Sequence, residues 1–124
     1  MEPSASANVG VTHVQGTLVV TVTRDLGDGA IAAVRASALE GAHRLGARRV
    51  VLDLSAVPFL DLAEFDELRA VVRAIDLVGA STTVVGLRPG IIMHLVESGA
   101  DTSGIHATLG LEEALGEGAG SGGR

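Results

Sequence analysis

The stretch Val50-Val51-Leu52-Asp53-Leu54-Ser55-Ala56-Val57-Pro58-Phe59-Leu60-Asp61-Leu62-Ala63-Glu64-Phe65 decides how this chain folds. Arg49 to Leu54 is a nearly uninterrupted apolar run, which predicts a strand covered on both faces, in the middle of a sheet crossed by helices. Ser55, with its turn-forming hydroxyl, and Pro58 then mark a turn. Beyond it Phe65, Leu68, Val72 and Ile75 recur at three- and four-residue steps, with Val71 and Val78 on the flank and Gly79 as the stop. That spacing predicts an amphipathic helix. Asp61, followed three residues later by Glu64, is a capping-box pattern at its start. Leu62 breaks the pattern, because it places a large apolar side chain in the first turn, where a small polar residue would be cheaper.

Toward the N-terminus, the β-branched runs Val9 to Val14 and Thr17 to Thr23 are separated by Gln15-Gly16, short enough for a hairpin in which Gly16 supplies a positive φ. From Asp28 the period lengthens: Ile31, Val34, Ala38, Ala42 and Leu45 form a helical stripe, with Asp28 placed to cap it and Gly46 to end it. Toward the C-terminus, Thr82 to Gly86 reads as a strand, Pro89 opens a short helix and Gly99 closes it. Ile105 to Ala107 reads as a last short strand and Leu111 to Leu115 as a last helical turn. The order predicts a single α/β domain over residues 9–115, with a mixed sheet of four to five strands and helices packed mainly on one face. Residues 1–8 and the glycine-rich tail 116–124 read as flexible ends, too small and polar to repay their ordering by burial.

At 124 residues the chain suits one domain with its own core. It has no cysteine, which removes disulfides, thiolate metal sites and cysteine nucleophiles. The longest apolar runs, such as Val50 to Leu54 and Ile91 to Val96, fall far short of the roughly 20 residues that cross a bilayer. The first residues lack the basic and apolar regions of a secretory signal, so the expected location is the cytoplasm. Nine basic residues against fifteen acidic ones, with two Phe and no Tyr or Trp, give neither the cationic footprint nor the stacking platforms of a nucleic-acid binder. The cluster Arg44, Arg48 and Arg49 reads as a solvated helix end, where cations suit the dipole.

Candidate chemistry is sparse. Asp61, Glu64, Asp66 and Glu67 gather at one helix start, where capping and dipole complementarity compete with a recognition surface as explanations. His13, His43, His94 and His106 include no pair at helical metal-site spacing. Neither a Gly-x-Ser-x-Gly elbow nor a phosphate loop is present. These observations favour a binding module over an enzyme, with no metal or cofactor expected.

The segment Val50 to Asp61 and the helix after it, then Leu77-Val78-Gly79-Ala80, Val84-Val85-Gly86-Leu87-Arg88-Pro89 and Leu95-Val96-x-x-Gly99, resemble in order and spacing the STAS domain, the fold of anti-sigma factor antagonists. The likeness runs from about Val9 to Leu115 and is strongest to the small scaffold and co-antagonist proteins of stressosomes. It implies a non-enzymatic regulator in a partner-switching pathway, which binds an anti-sigma or switch serine kinase or another STAS protein, or its own copies. It further implies that contact is made through Pro58, Phe59, Leu60, Asp61, Leu62, Ala63, Glu64 and Phe65.

In the family a hydroxyl following the aspartate is phosphorylated and the partner is released. Here that position is Leu62 and the next is Ala63, so neither accepts phosphate and only the capping aspartate carries over. Leu62 then either packs inward or serves as an apolar contact, while the Glu64 carboxylate partly imitates a phosphate near the same amides. Thr82, Thr83 and Ser98 are other hydroxyls open to modification. The family also includes subunits of transport complexes and small-molecule sensors, the latter needing a pocket between helix and sheet.

Overall fold

A computed structural model describes residues 9–22 and 29–108. The sequence expectations for residues 1–8, Thr23, Asp28, Leu111 to Leu115 and the tail lie outside them. The elements are β1 (Val9–Val14), β2 (Thr17–Val22), α1 (Ala30–Leu45), β3 (Arg49–Asp53), α2 (Leu62–Leu77), β4 (Ser81–Val85), α3 (Pro89–Glu97) and β5 (Ala107–Thr108). They form one α/β sheet of order β1-β2-β3-β4-β5. The first pair is antiparallel and every later pair parallel.

The hairpin forms as the sequence predicts, and both turn residues, Gln15 and Gly16, take positive φ (48° and 81°). Two such residues make the turn whose twist matches that of the strands it joins. From β2 onward each strand lies beside the preceding one on the same side, so right-handed crossovers place α1, α2 and α3 on one face. Val34 and Ala38 of α1, Leu68 and Ile75 of α2 and Ile91 and Leu95 of α3 pack there with Leu18, Val20, Val50, Leu52 and Val84 of the sheet. Gly41 lets α1 sit close, since a Cβ there would lie 2.6 Å from Leu18 Cδ2. Val19, Val51 and Val85 form a small cluster on the opposite face, so β3 is buried on both sides as its sequence requires.

Four expectations change. The α1 cap position falls to Gly29, which offers no side-chain bond, rather than Asp28. Leu45 is exposed, because the stripe has rotated off the sheet by the last turn of α1. On α2, Val71 is buried and Val72 only partly so, since the helix meets the sheet on the flank of the stripe rather than its centre. Of the arginine cluster only Arg44 belongs to a helix end. Arg48 precedes β3, and Arg49 begins it, its guanidinium 3.5 Å from the Thr17 hydroxyl.

α2 and α3 both end as expected at glycines. Gly79 N–H donates to Asp76 O (3.0 Å) and Ala80 N–H to Ile75 O (3.2 Å), while Gly99 and Ala100 repeat the arrangement on Val96 and Leu95 (3.1 and 2.9 Å). These paired bonds satisfy carbonyls that the helix leaves open.

Candidate functional site at the start of the second helix

Parallel strands joined by right-handed crossovers bring the start of every following helix to one edge of the sheet, beyond the strand carboxyl ends. The β3–α2 connection crosses that edge. Asp53 Oδ1 accepts from both the Ser55 amide (3.0 Å) and its hydroxyl (2.6 Å), which turns the chain as β3 ends. Leu54 N–H still donates to Val85 O (2.8 Å), and Val57 N–H to Leu54 O (2.9 Å). Leu54, Val57 and Leu60 recur every third residue and are buried, so they hold the connection to the core from below. Pro58 and Phe59 are left facing outward.

Helix α2 then opens with a complete capping box. The Asp61 carboxylate accepts from Glu64 N–H (2.8 Å), and the Glu64 carboxylate accepts from Asp61 N–H (3.0 Å). This reciprocal pairing ties down two amide donors at a helix end rich in them. The amides of Leu62 and Ala63, which lie between, have no acceptor among the described residues. They are the donors left for solvent or for an oxygen of a bound partner.

The structure divides the eight residues named from the sequence. Leu60 and Phe65 are 0% and 1% exposed and belong to the core, so they support the surface from beneath and do not form it. Pro58, Phe59, Asp61 and Ala63 are exposed, while Leu62 and Glu64 are partly buried. Leu62 therefore neither turns fully inward nor stands free. Phe59, 49% exposed, packs its ring against His94 of α3 at a centroid distance of 5.2 Å and a tilt of 51°.

That contact extends the surface to α3, which sequence reasoning did not include. Ile92, Met93 and Val96 of α3 are also exposed. The signal for them was the run Ile91 to Val96 itself, which has more apolar residues than one buried face of a short helix requires.

The other candidates are placed elsewhere. Among the described residues no three His, Asp or Glu side chains gather as a metal site. Thr83 is buried and the Thr82 hydroxyl oxygen is enclosed, so neither hydroxyl is presented for modification, whereas Ser98, the C-cap of α3, is exposed. No helix among these residues is long and apolar enough to cross a membrane.

An open mixed sheet with helices on one face and a capped helix start at its carboxyl edge is an α/β architecture of the kind the sequence resemblance implies. The STAS domain family model matches residues 8–114, and the chain belongs to that family. Among solved structures, a serine-to-glutamate variant of RsbS from Moorella thermoacetica is similar with a TM-score of 0.80 and 22% identity, covering 95% of this chain and all (100%) of that one. A chain from the molecular architecture of the stressosome, described as a signal integration and transduction hub, gives 0.76 and 22%, covering 91% and 98%. The anti-sigma factor antagonist SpoIIAA in its unphosphorylated form gives 0.63 and 14%, covering 90% and 96%. At such identities these likenesses speak for the fold. No curated protein matches the sequence.

Proposed function

We propose that this chain is a non-enzymatic, cytoplasmic regulator that works by protein–protein contact in a partner-switching or stressosome-type pathway. Its partner is a switch or anti-sigma serine kinase or another STAS protein. The contact uses Pro58, Phe59, Asp61, Leu62, Ala63 and Glu64, with Leu60 and Phe65 as the buried base. The observation that carries this reading is the α2 start: a closed Asp61–Glu64 capping box frames two open amides and a part-exposed leucine, at the position where the family resemblance implies a phosphorylatable hydroxyl. A phosphate there would add about −1.5 to −2 charge beside free amides. Leu62 cannot carry one, and the nearby Glu64 carboxylate is engaged on the Asp61 amide.

The binding state of this surface is therefore not set by phosphorylation at position 62. Burying a leucine fully contributes about 1.5–3 kcal/mol, and completing the burial of a partly covered Leu62 contributes some of that. The test is partner binding by Leu62→Asp. An aspartate in the first turn suits the helix dipole, so the variant keeps α2 while placing a charge in the contact. Unchanged binding by this variant would remove Leu62 from the interface.

A further inference from the structure

The sheet ends differently on its two sides. At one edge the last strand, β5, is two residues long. At the other, β1 runs for six residues and keeps unbroken register with β2, from Val9 opposite Val22 to Val14 opposite Thr17, with no bulge. Among the described residues no strand pairs with its outer side. Proteins blunt such an edge with a lysine, a proline, a bulge or a very short strand, because its open amides and carbonyls are a template for another strand. The β1 sequence Val9-Gly10-Val11-Thr12-His13-Val14 contains no Pro, Lys, Arg, Asp or Glu. Residues 10–14 are all exposed, Val11 at 47%.

The turn decides which backbone groups are open. Val14 and Thr17 flank the two-residue turn and so exchange hydrogen bonds with each other, and the alternation of an antiparallel ladder then directs Thr12 and Gly10 at β2 as well. Val9, Val11 and His13 therefore aim both N–H and C=O outward, along the edge. They stand opposite Val22, Val20 and Leu18, so their side chains lie on the face that carries the helices. Val9 is 7% exposed against the 47% of Val11, which means that the helix layer covers the start of β1 and stops short of its middle. The edge is thus open both to hydrogen bonding and to side-chain contact.

We propose that two copies of this chain associate through β1, antiparallel about a twofold axis at Val11, which joins their sheets into one. Such an axis is normal to the sheet and keeps both helix layers on the same face, so residues opposite each other must share a face and the axis must pass through a residue. With Val11 opposite its own mate, Val9 stands opposite the partner's His13 and His13 opposite the partner's Val9. All of these have outward groups, so three pairs exchange two bonds each. An axis at Gly10 or Thr12 leaves only two such pairs. The edge is its own complement in this one register, and the exposed Val11 is covered by the same residue of the second copy. One strand from each copy makes an interface at the low end of specific contacts, so the association is weak. It is independent of the surface at the start of α2.

Sedimentation equilibrium of the full chain from about 10 μM to about 1 mM tests this, together with NOEs between labelled and unlabelled copies. The wild type passes from one copy to two, and an intermolecular NOE joins the α-protons of Gly10 and Thr12, a non-hydrogen-bonded pair that this register brings close. Val11→Pro removes an outward amide and none that bonds to β2, at a kind of position where edge strands accept proline. Val11→Lys keeps the backbone and sets two like charges opposite each other at the axis. Each variant lowers the association constant about tenfold or more with an unaltered circular dichroism spectrum. Leu62→Asp associates like the wild type. A wild type that stays single at the highest concentration overturns the proposal. So does association that persists unaltered in both Val11 variants, that lacks the NOE between Gly10 and Thr12, or that is lost in Leu62→Asp.

Discussion

Gly86 follows β4 with φ +86°, and a Cβ built on it would lie 2.6 Å from both the backbone N and Cα of Ser55 and closer still to the Ser55 hydroxyl. Real Cβ atoms do not approach a backbone so closely, and Ser55 has little freedom to withdraw. Its amide and hydroxyl are both held by Asp53, and the preceding Leu54 N–H is bonded to Val85 O at 2.8 Å. Gly86→Ala therefore combines a left-handed backbone on a residue with a side chain, costing about 1–3 kcal/mol, with an overpacked contact costing about 1–3 kcal/mol more. The expected loss is about 2–6 kcal/mol, a large part of the stability of a domain this size. Urea unfolding followed by circular dichroism reads it as a lower midpoint at unchanged slope. Gly90→Ala is the control: Gly90 lies in α3 with open space around its Cβ position and no positive φ, so alanine there is neutral or stabilising by up to about 1 kcal/mol. Equal midpoints for the two variants would show that the β3 and β4 ends are not locked together, and the account of how the β3–α2 connection is positioned would fail with them.

The other expectations are smaller. Asp61→Ala removes the N-cap acceptor and leaves the Glu64 half of the box, costing about 1 kcal/mol by urea unfolding. A loss below about 0.3 kcal/mol would mean that water replaces the cap. Phe59→Ala leaves stability within about 1 kcal/mol, because the ring is half exposed, whereas Phe65→Ala costs about 3–5 kcal/mol from the core. Asp101 has its pKa lowered below the ordinary 3.8 by the Ser103 hydroxyl and amide and by the Arg69 charge. A depressed folded-state pKa means that its stabilisation of the 101–103 turn is complete above the ordinary value and is lost as pH falls through the depressed one. Carboxyl chemical shifts give a midpoint below 3.8 in the wild type and a higher one in Ser103→Ala; equal midpoints would contradict the assignment.

Much of the fold could be read from local pattern, because period and punctuation carry it. The apolar run of β3, the Gln15-Gly16 turn and the glycine stops of α1, α2 and α3 are features of neighbouring residues. What the pattern left open was how the helices lie on the sheet. Val71 and Val72 are equally apolar and adjacent, and only the packing of α2 against β4 and α1 decides that Val71 is the buried one. The candidate site divides in the same way. The capping box is local and was legible at Asp61 and Glu64, but Leu60 and Phe65 looked like members of the surface because nothing in a single stretch says which side of a turn faces the core. Contacts between distant segments had no local signal. Gly86 against Ser55, Phe59 against His94 and Arg69 against Asp101 each join residues about thirty positions apart.

A protein-binding surface at the start of α2, without a phosphorylatable residue at position 62, has a consequence for what the chain retains in its own cells. Affinity capture of the tagged full chain and its Leu62→Asp variant from the native cells, read by mass spectrometry, tests it most directly. The wild type is expected to retain a switch or anti-sigma serine kinase or another STAS protein, and Leu62→Asp to lose it while remaining folded. Retention of the same proteins by both forms, or of a membrane transport ATPase in their place, would contradict it.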